Sequence, residues 1–228
     1  MLFRSQFKGA KYKKFTSATQ AQAFIDGQLD VISVNLTPKL NLSIFNKDND
    51  YNPANWTQLG DEYYIFTDGS FHSSSKHSGV AVYFGIPALN IAEYYEGLTN
   101  NQCELLAILY SLQIIIKYYH HLATKTVNIV SDSEYSINCL TKWLPGWKAN
   151  NWKTKTGEEV KNRQILSNSD KCIEHLRKLN METNKNVQLK FLHTRSHLDP
   201  PDTPPGSLDY IMWQGNHLAD LIANKKIA

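Results

Sequence analysis

Four acidic residues lie in apolar stretches of the sequence, where a carboxylate would lose much of its hydration. Asp68 and Asp132 follow runs of β-favouring residues, and Glu104 and Asp220 lie beside apolar residues of two predicted helices. For any one of these acids an ion pair, a helix cap or a turn is the simpler explanation. Together they predict a site where all four carboxylates converge on divalent cations. Oxygen ligands without a Cys or His cluster favour magnesium or manganese.

Such a site would suit one kind of chemistry. Two divalent ions a few ångströms apart favour in-line attack of water on a phosphodiester. His197 lies in a loop after the last predicted strand, where an imidazole could relay a proton or help the product to leave. His193 lies close by in the sequence, and spacing alone does not choose between the two histidines.

The elements that must position these residues follow an α/β order. Closely spaced strands are predicted first and a nearly apolar helix next, and the second half alternates strands with helices. The predicted strands are 62–68, 78–85, 91–97, 126–131 and 187–193, and the predicted helices are 101–119, Ser133 to about Trp143, 158–180 and Gln214 to Lys225. We therefore predict a mixed five-stranded sheet, three strands antiparallel and then two parallel, flanked by helices. In it, Asp68 and Asp132 would lie at strand ends.

The part of the chain ahead of this domain has a different composition. Residues 1–29 form a basic, aromatic-spotted segment with no acid in its first 25 residues. Residues 30–60 are predicted to be a linker with one short strand near Val31–Val34, and residues 61–228 form the catalytic domain. A basic run is often no more than a solvated face, and this alternative stays open for residues 1–29.

Composition bounds the class of protein. The 228 residues are 42% hydrophobic, which is ample for a packed core. No stretch of the sequence approaches 18 uninterrupted apolar residues, and the N-terminus has no apolar signal-peptide core. These two features predict an intracellular protein of the cytoplasm or nucleus. The three cysteines are odd in number and widely spaced, which favours reduced thiols and argues against a zinc site.

Four short motifs resemble the type 1 ribonuclease H family, and the resemblance covers about residues 62–228. The motifs are Thr67-Asp68-Gly69-Ser70, Thr99-Asn100-Asn101-Gln102-Cys103-Glu104, Ser131-Asp132-Ser133-Glu134-Tyr135 and Gly215-Asn216-His217-Leu218-Ala219-Asp220. The resemblance implies that the four acids hold two Mg²⁺ ions, with Mn²⁺ as a substitute, and that His197 is the histidine of the catalytic loop. It also implies endonucleolytic cleavage of the RNA strand of an RNA–DNA hybrid, leaving 5′-phosphate and 3′-hydroxyl ends. The expected partner is the hybrid itself, with neither a membrane nor an obligate protein partner.

The same resemblance indicates substrate contacts. Residues 143–154 resemble the family's basic protrusion, which grips the DNA strand with Trp and Tyr faces and lysines. The alternative is an aromatic corner of the core with a solvated basic rim. Asn100 and Asn101 would face the RNA minor groove, where amides can read 2′-hydroxyls, and Thr99 and Asn162 would hold a DNA phosphate. The predicted substrate-binding residues are Gly69, Ser70, Thr99, Asn100, Asn101, Tyr135, Trp143, Trp147, Lys148 and Asn162.

Two features depart from the family pattern. Residues 198–209 form a loop longer than usual, and its four prolines forbid regular structure, so it could cover the site or change access to His197. Residues 6–27 resemble the C-terminal half of a hybrid-binding domain without its preceding strands. They are a remnant of that domain, the product of a truncated gene model, or a minimal basic arm. Two other functions remain as alternatives: a DNA nuclease of the same fold, such as a resolvase or integrase-like enzyme, and a non-catalytic nucleic-acid-binding module.

Overall fold

The computed structural model describes residues 50–86, 90–122 and 126–225. The basic segment 1–29, with its resemblance to a hybrid-binding domain, and the predicted strand near Val31–Val34 lie outside the described residues.

A mixed sheet forms the centre of the fold. Its strands are β1 (Thr57–Leu59), β2 (Glu62–His72), β3 (His77–Tyr83), β4 (Ile91–Glu96), β5 (Thr126–Ser131) and β6 (Gln188–His193). The order is β4-β3-β2-β5-β6, with β1 paired to β2. β2 pairs antiparallel with β1 and β3, β3 pairs antiparallel with β4, and β5 pairs parallel with both β2 and β6. This confirms the α/β fold class and all five predicted strands. The sheet also contains a sixth strand, β1, which is too short to show a sequence period.

The helices are α1 (Asn100–Lys117), α2 (Glu134–Asn138), α3 (Leu144–Ala149), α4 (Arg163–Thr183) and α5 (Leu208–Ala223). Helix α1 begins with a capping box in which Thr99 and Gln102 exchange side-chain and backbone hydrogen bonds. It is apolar on nearly every side because it packs between the sheet and α4, and 13 of its 18 residues are buried.

Three helix boundaries differ from the prediction for local reasons. Helix α4 begins at Arg163 rather than at residue 158, because Asn162 before it has a left-handed backbone with φ of +61°. The segment after Trp143 was predicted as a loop, but α2 continues through one π-helical turn (Cys139–Trp143) into α3. Pro145 is compatible with this because the first turn of a helix needs no N–H donor. Helix α5 begins at Leu208 rather than Gln214, because the Ser207 hydroxyl caps the backbone N–H of Tyr210. The proline-rich loop is therefore shorter than residues 198–209.

Two hydrophobic cores cover the faces of the sheet. The larger packs α1 and α4 against one face, and the smaller packs α5 against residues of β2, β3 and β5 on the other. Tyr51 and Trp56 lie in the larger core with 1% and 4% of their surface exposed, so the packed fold includes the end of the segment predicted as linker. Among the described residues, no helix is both long and apolar enough to cross a membrane.

Candidate active site

The register of the central strands brings Asp68 and Asp132 to one rim of the sheet. The last parallel pair between β2 and β5 joins Thr67 to Ser131, so Asp68 and Asp132 are the next residues on neighbouring strands. Asp132 lies just beyond the end of β5, as predicted. Asp68 does not end its strand, because β2 continues to His72 along β3.

Gly69 allows Glu104 to lie beside Asp68. A Cβ atom at position 69 would lie 2.3 Å from the backbone nitrogen of Glu104 and 2.7 Å from the carbonyl carbon of Cys103. Any side chain would therefore push α1 off the strand. The glycine after Asp68 thus permits the close backbone approach that brings a helix carboxylate next to a strand carboxylate.

A second close approach positions Asp220. A Cβ atom at Gly215 would lie 2.2 to 2.4 Å from ring atoms of Phe66, so α5 packs directly on β2. Asp220 is one and a half turns further along α5, and its Oδ1 accepts a hydrogen bond of 2.9 Å from the Asn224 amide. The helix therefore brings a fourth carboxylate to the rim.

The four acids share one open cleft. Asp68, Glu104 and Asp132 each offer a carboxylate oxygen, and these oxygens lie within 4.8 Å of one another. Asp220 and His197 line the same cleft of about 360 Å³, together with Asn100. The predicted set is thus brought together, with three acids in a tight group and Asp220 at its side.

Burial and mutual repulsion disfavour negative charge in this group. Burial raises the pKa of both Asp68 and Glu104 well above the ordinary range, and the neighbouring carboxylates raise it further. A backbone hydrogen bond from Gly69 opposes part of this rise. Burial also raises the pKa of Asp132, against hydrogen bonds that include one from the Asn216 amide and against the attraction of His197.

The donor set fits a hard divalent cation. Glu104 Oε2 is buried and accepts no hydrogen bond, and the Asn100 amide donates a long bond of 3.5 Å to Oε1. Within the described ranges, no Lys or Arg forms an ion pair with any of the four acids. A buried carboxylate without a partner is costly, and a cation would remove that cost. Clustered carboxylate oxygens are the ligands that magnesium and manganese prefer.

The two histidines differ in their positions. His193 is the last residue of β6, and its Nε2 lies 3.2 Å from the backbone oxygen of Asp132. His197 is exposed, lines the cleft and has a left-handed backbone with φ of +54°. Of the two, His197 is therefore the one whose side chain faces the space above the carboxylates.

Several predicted substrate-binding residues also have structural roles. The Ser70 hydroxyl donates to the backbone oxygen of Ala223 at 2.6 Å, which fixes the end of α5 to β2. The Thr99 hydroxyl belongs to the cap of α1, where it accepts from the Gln102 N–H at 3.3 Å. Asn100 lines the cleft, and Asn101 is exposed one residue further along α1.

An aromatic cluster forms a separate surface at α2 and α3. Tyr135 and Trp143 have ring centroids 6.0 Å apart, Trp143 and Trp147 have centroids 5.7 Å apart, and the Asn162 amide lies 3.4 Å from the Tyr135 hydroxyl. Trp143 is 40% exposed, whereas Tyr135 and Trp147 pack against the edge of the core. The surface therefore has features of both predictions for residues 143–154: an exposed aromatic face, as in a substrate-binding protrusion, and an aromatic corner of the core.

Lys148 is less available than the sequence suggests. Its Nζ lies 2.8 Å from Asp170 and 3.7 Å from Glu174, and the hydrogen bond with Asp170 raises its pKa. Part of the positive charge is therefore neutralised within the protein, and we expect its attraction for phosphate to be weaker than that of an unpaired lysine.

Two residues at the site were missed from the sequence. Asn216 is 5% exposed and its amide donates to Asp132, while its Oδ1 is buried without a partner. Asn224 holds Asp220. Asn216 lies four residues before Asp220 on α5, and Asn224 lies four residues after it at the C-cap of that helix. The spacing of one helical turn was therefore the signal that could have found them.

Comparison with known proteins agrees with this arrangement. The RNase H family model matches residues 60–228. Ribonuclease H of Clostridium botulinum is 28% identical over 141 residues, covering 59% of this chain and 83% of that protein. Ribonuclease H of Francisella philomiragia is 30% identical over 166 residues, covering 72% and 89%, and that of Schizosaccharomyces pombe is 30% identical over 171 residues, covering 72% and 53%. The match spans most of the chain and all four carboxylates of the cleft, and the chain belongs to the RNase H family.

Proposed function

We propose that the protein is an endoribonuclease that hydrolyses the RNA strand of RNA–DNA hybrids and leaves 5′-phosphate and 3′-hydroxyl ends. The observation that carries this is the group of three carboxylates within 4.8 Å, one with an unpartnered buried oxygen, at the floor of an open cleft. Membership of the RNase H family supports the choice of substrate.

Asp68, Glu104, Asp132 and Asp220 would hold two magnesium ions, for which manganese could substitute. When bound, such ions activate water and neutralise charge that develops on the phosphodiester. The protein's own contribution is to hold the carboxylates in place before substrate arrives. Gly69 fixes the approach of Glu104, the Asn216 amide orients Asp132, and the Asn224 amide orients Asp220.

His197 is the proposed proton-transfer residue. Its side chain lies at the cleft, its exposure permits movement, and an imidazole changes charge near neutral pH. In this role it would deliver a proton to the leaving oxygen or assist release of the product.

The two strands of the hybrid would meet different surfaces. Asn100 and Asn101, at the start of α1, would contact the RNA minor groove, where the 2′-hydroxyl distinguishes RNA from DNA. The exposed face of Trp143, with Tyr135 and Trp147 behind it, offers a stacking platform for the DNA strand. Thr99 and Asn162 would contact a DNA phosphate, and Gly69 and Ser70 line the cleft floor.

A cleavage assay tests the proposal. Labelled RNA–DNA hybrid, double-stranded RNA, double-stranded DNA and branched DNA are each incubated with the protein and magnesium, and product ends are mapped. We expect cleavage of the hybrid alone, in its RNA strand, and no cleavage by the Asp132→Asn variant. Cleavage of DNA, or retained activity in that variant, would refute it.

A further inference from the structure

The loop that carries His197 is anchored at both ends. At its start the Thr194 N–H donates to the backbone oxygen of Ser131 at 3.1 Å. At its end the Ser207 N–H donates to the Pro204 oxygen at 3.1 Å, and Ser207 caps α5. His197 lies between these anchors in an exposed stretch. Pro200 and Pro201 lack the N–H groups that could tie the loop to its surroundings.

Trp213 of α5 reaches into the middle of this loop. Its indole Nε1–H donates to the backbone oxygen of Leu198 at 3.0 Å, one residue after His197. Among the residues that the structure describes, this is the hydrogen bond that links residues 195–203 to the rest of the fold. His197 has a left-handed backbone that residues other than glycine seldom adopt, so its conformation needs support from its surroundings.

The indole is itself held in place. Its ring stacks on His217, one turn further along α5, with centroids 5.6 Å apart and planes 8° from parallel. Tyr210 packs on it from the preceding turn, with centroids 5.4 Å apart. The same helix supplies Asp220, so a single rigid element carries both a carboxylate of the cleft and the contact to the histidine loop.

The loop and the helix lie close together at this point. The space enclosed by His197, Leu198, Trp213, Asn216 and Asp220, with their neighbours, measures about 20 Å³, which is room for about one water molecule. A small movement of Leu198 away from α5 would open this space and carry His197 away from the carboxylates.

We propose that Trp213 is a positioning residue, whose indole N–H holds the Leu198 carbonyl and thereby keeps the His197 imidazole at the acidic cleft. This inference rests on the proposed function and acts through His197. Trp213 contributes no contact to the reacting atoms, so its loss should change kcat and leave KM unchanged.

The test uses Trp213→Phe, which keeps an aromatic ring for the stack with His217 and removes the N–H donor together with the five-membered part of the indole. In steady-state cleavage of the hybrid we expect kcat to fall with KM constant. The fall is at most about fivefold, which is the change that loss of one neutral hydrogen bond produces in the equilibrium between the held and the released loop. In a His197→Ala background the same substitution should have no further effect on kcat. The same loss of kcat in that background as in the single variant, or an unchanged kcat in the single variant, would overturn the proposal.

The matched control is Trp56→Phe, which removes an equivalent bond of 2.9 Å from an indole N–H to the Tyr51 carbonyl, in the core away from the cleft. It should lower thermal stability and leave kcat unchanged at temperatures where the protein stays folded. An equal loss of kcat in both variants would overturn the positioning role, because it would show that general destabilisation is the cause.

Limited trypsin digestion detects release of the loop from α5 without a measurement of activity. Arg195 is exposed within the loop, and cleavage after it should accelerate in Trp213→Phe and stay unchanged in Trp56→Phe. Because kcat follows the held fraction of the loop and digestion follows the released fraction, the fold loss of kcat multiplied by the fold gain in digestion rate should be about five. Equal rates in all three proteins would overturn the inference. Absence of hybrid cleavage by the unchanged protein would instead refute the proposed function, and the digestion would still decide whether Trp213 holds the loop.

Discussion

The Asp68→Asn substitution should stabilise the metal-free protein while it abolishes cleavage. Asn has the same shape as Asp without the charge, so it relieves repulsion in the buried group without creating a cavity. Two unit charges 4.8 Å apart, the upper bound for this group, repel by about 3.5 kcal/mol at an effective dielectric constant of about 20. Since the cleft opens to water and solvent weakens this repulsion, we expect a net gain of about 1–2 kcal/mol in the free energy of unfolding.

This gain should appear as a rise in Tm. For a domain of this size, 1 kcal/mol corresponds to about 2–4 °C, so Asp68→Asn should raise Tm by about 2–8 °C in the presence of a chelator. With magnesium, the unchanged protein should have a higher Tm than Asp68→Asn. Binding to the folded state raises the stability of the unchanged protein, by about 2.7 kcal/mol at a hundred times the Kd, whereas the variant has lost a ligand and should respond less.

The assay is thermal unfolding followed by circular dichroism, with chelator and with saturating magnesium. Asp170→Asn is the control, because Asp170 is paired with Lys148 at 2.8 Å and its neutralisation removes an attraction. This control should have a lower Tm than the unchanged protein under both conditions. The reasoning fails if Asp68→Asn lowers Tm in chelator, or if magnesium stabilises it as much as the unchanged protein.

Three further predictions follow from the same geometry. Burial raises the pKa of Asp68, Glu104 and Asp132 above their values in the unfolded chain, so the metal-free fold should gain stability as pH falls from neutral toward about 4. A urea midpoint that drops on mild acidification would contradict this. Gly69→Ala should destabilise the fold by about 1–3 kcal/mol or more, since its Cβ would lie 2.3 Å from a backbone nitrogen of α1, and an unchanged urea midpoint would disprove the close approach. Trp143→Ala should weaken hybrid binding by about 1–3 kcal/mol and leave the salt dependence of binding unchanged, as measured by fluorescence titration at several salt concentrations. A reduced salt slope would show that the ring acts through nearby charges instead of stacking.

The sequence predicted the elements better than their ends. The apolar run of α1 and the β-favouring runs of the five longer strands are local properties, and all of these elements are present. The start of α5 at Leu208 depends on a single cap by Ser207, and the continuation of the helix past Trp143 depends on packing of Leu140 and Leu144 in the core. Such boundaries are set by one or two contacts, which periodicity does not reveal.

For the site, the sequence alone determined the residue types: four acids in apolar surroundings, a glycine after the first, and histidines after the last strand. The tertiary structure decided which carboxylates meet within 4.8 Å, that Asp68 lies within its strand, and that His197, not His193, faces the cleft. It also decided that Lys148 is paired with Asp170 and that Trp213 contacts Leu198. The physical reason is that residue type and local spacing are properties of the chain, whereas distances between residues far apart in sequence exist only once strands and helices have packed.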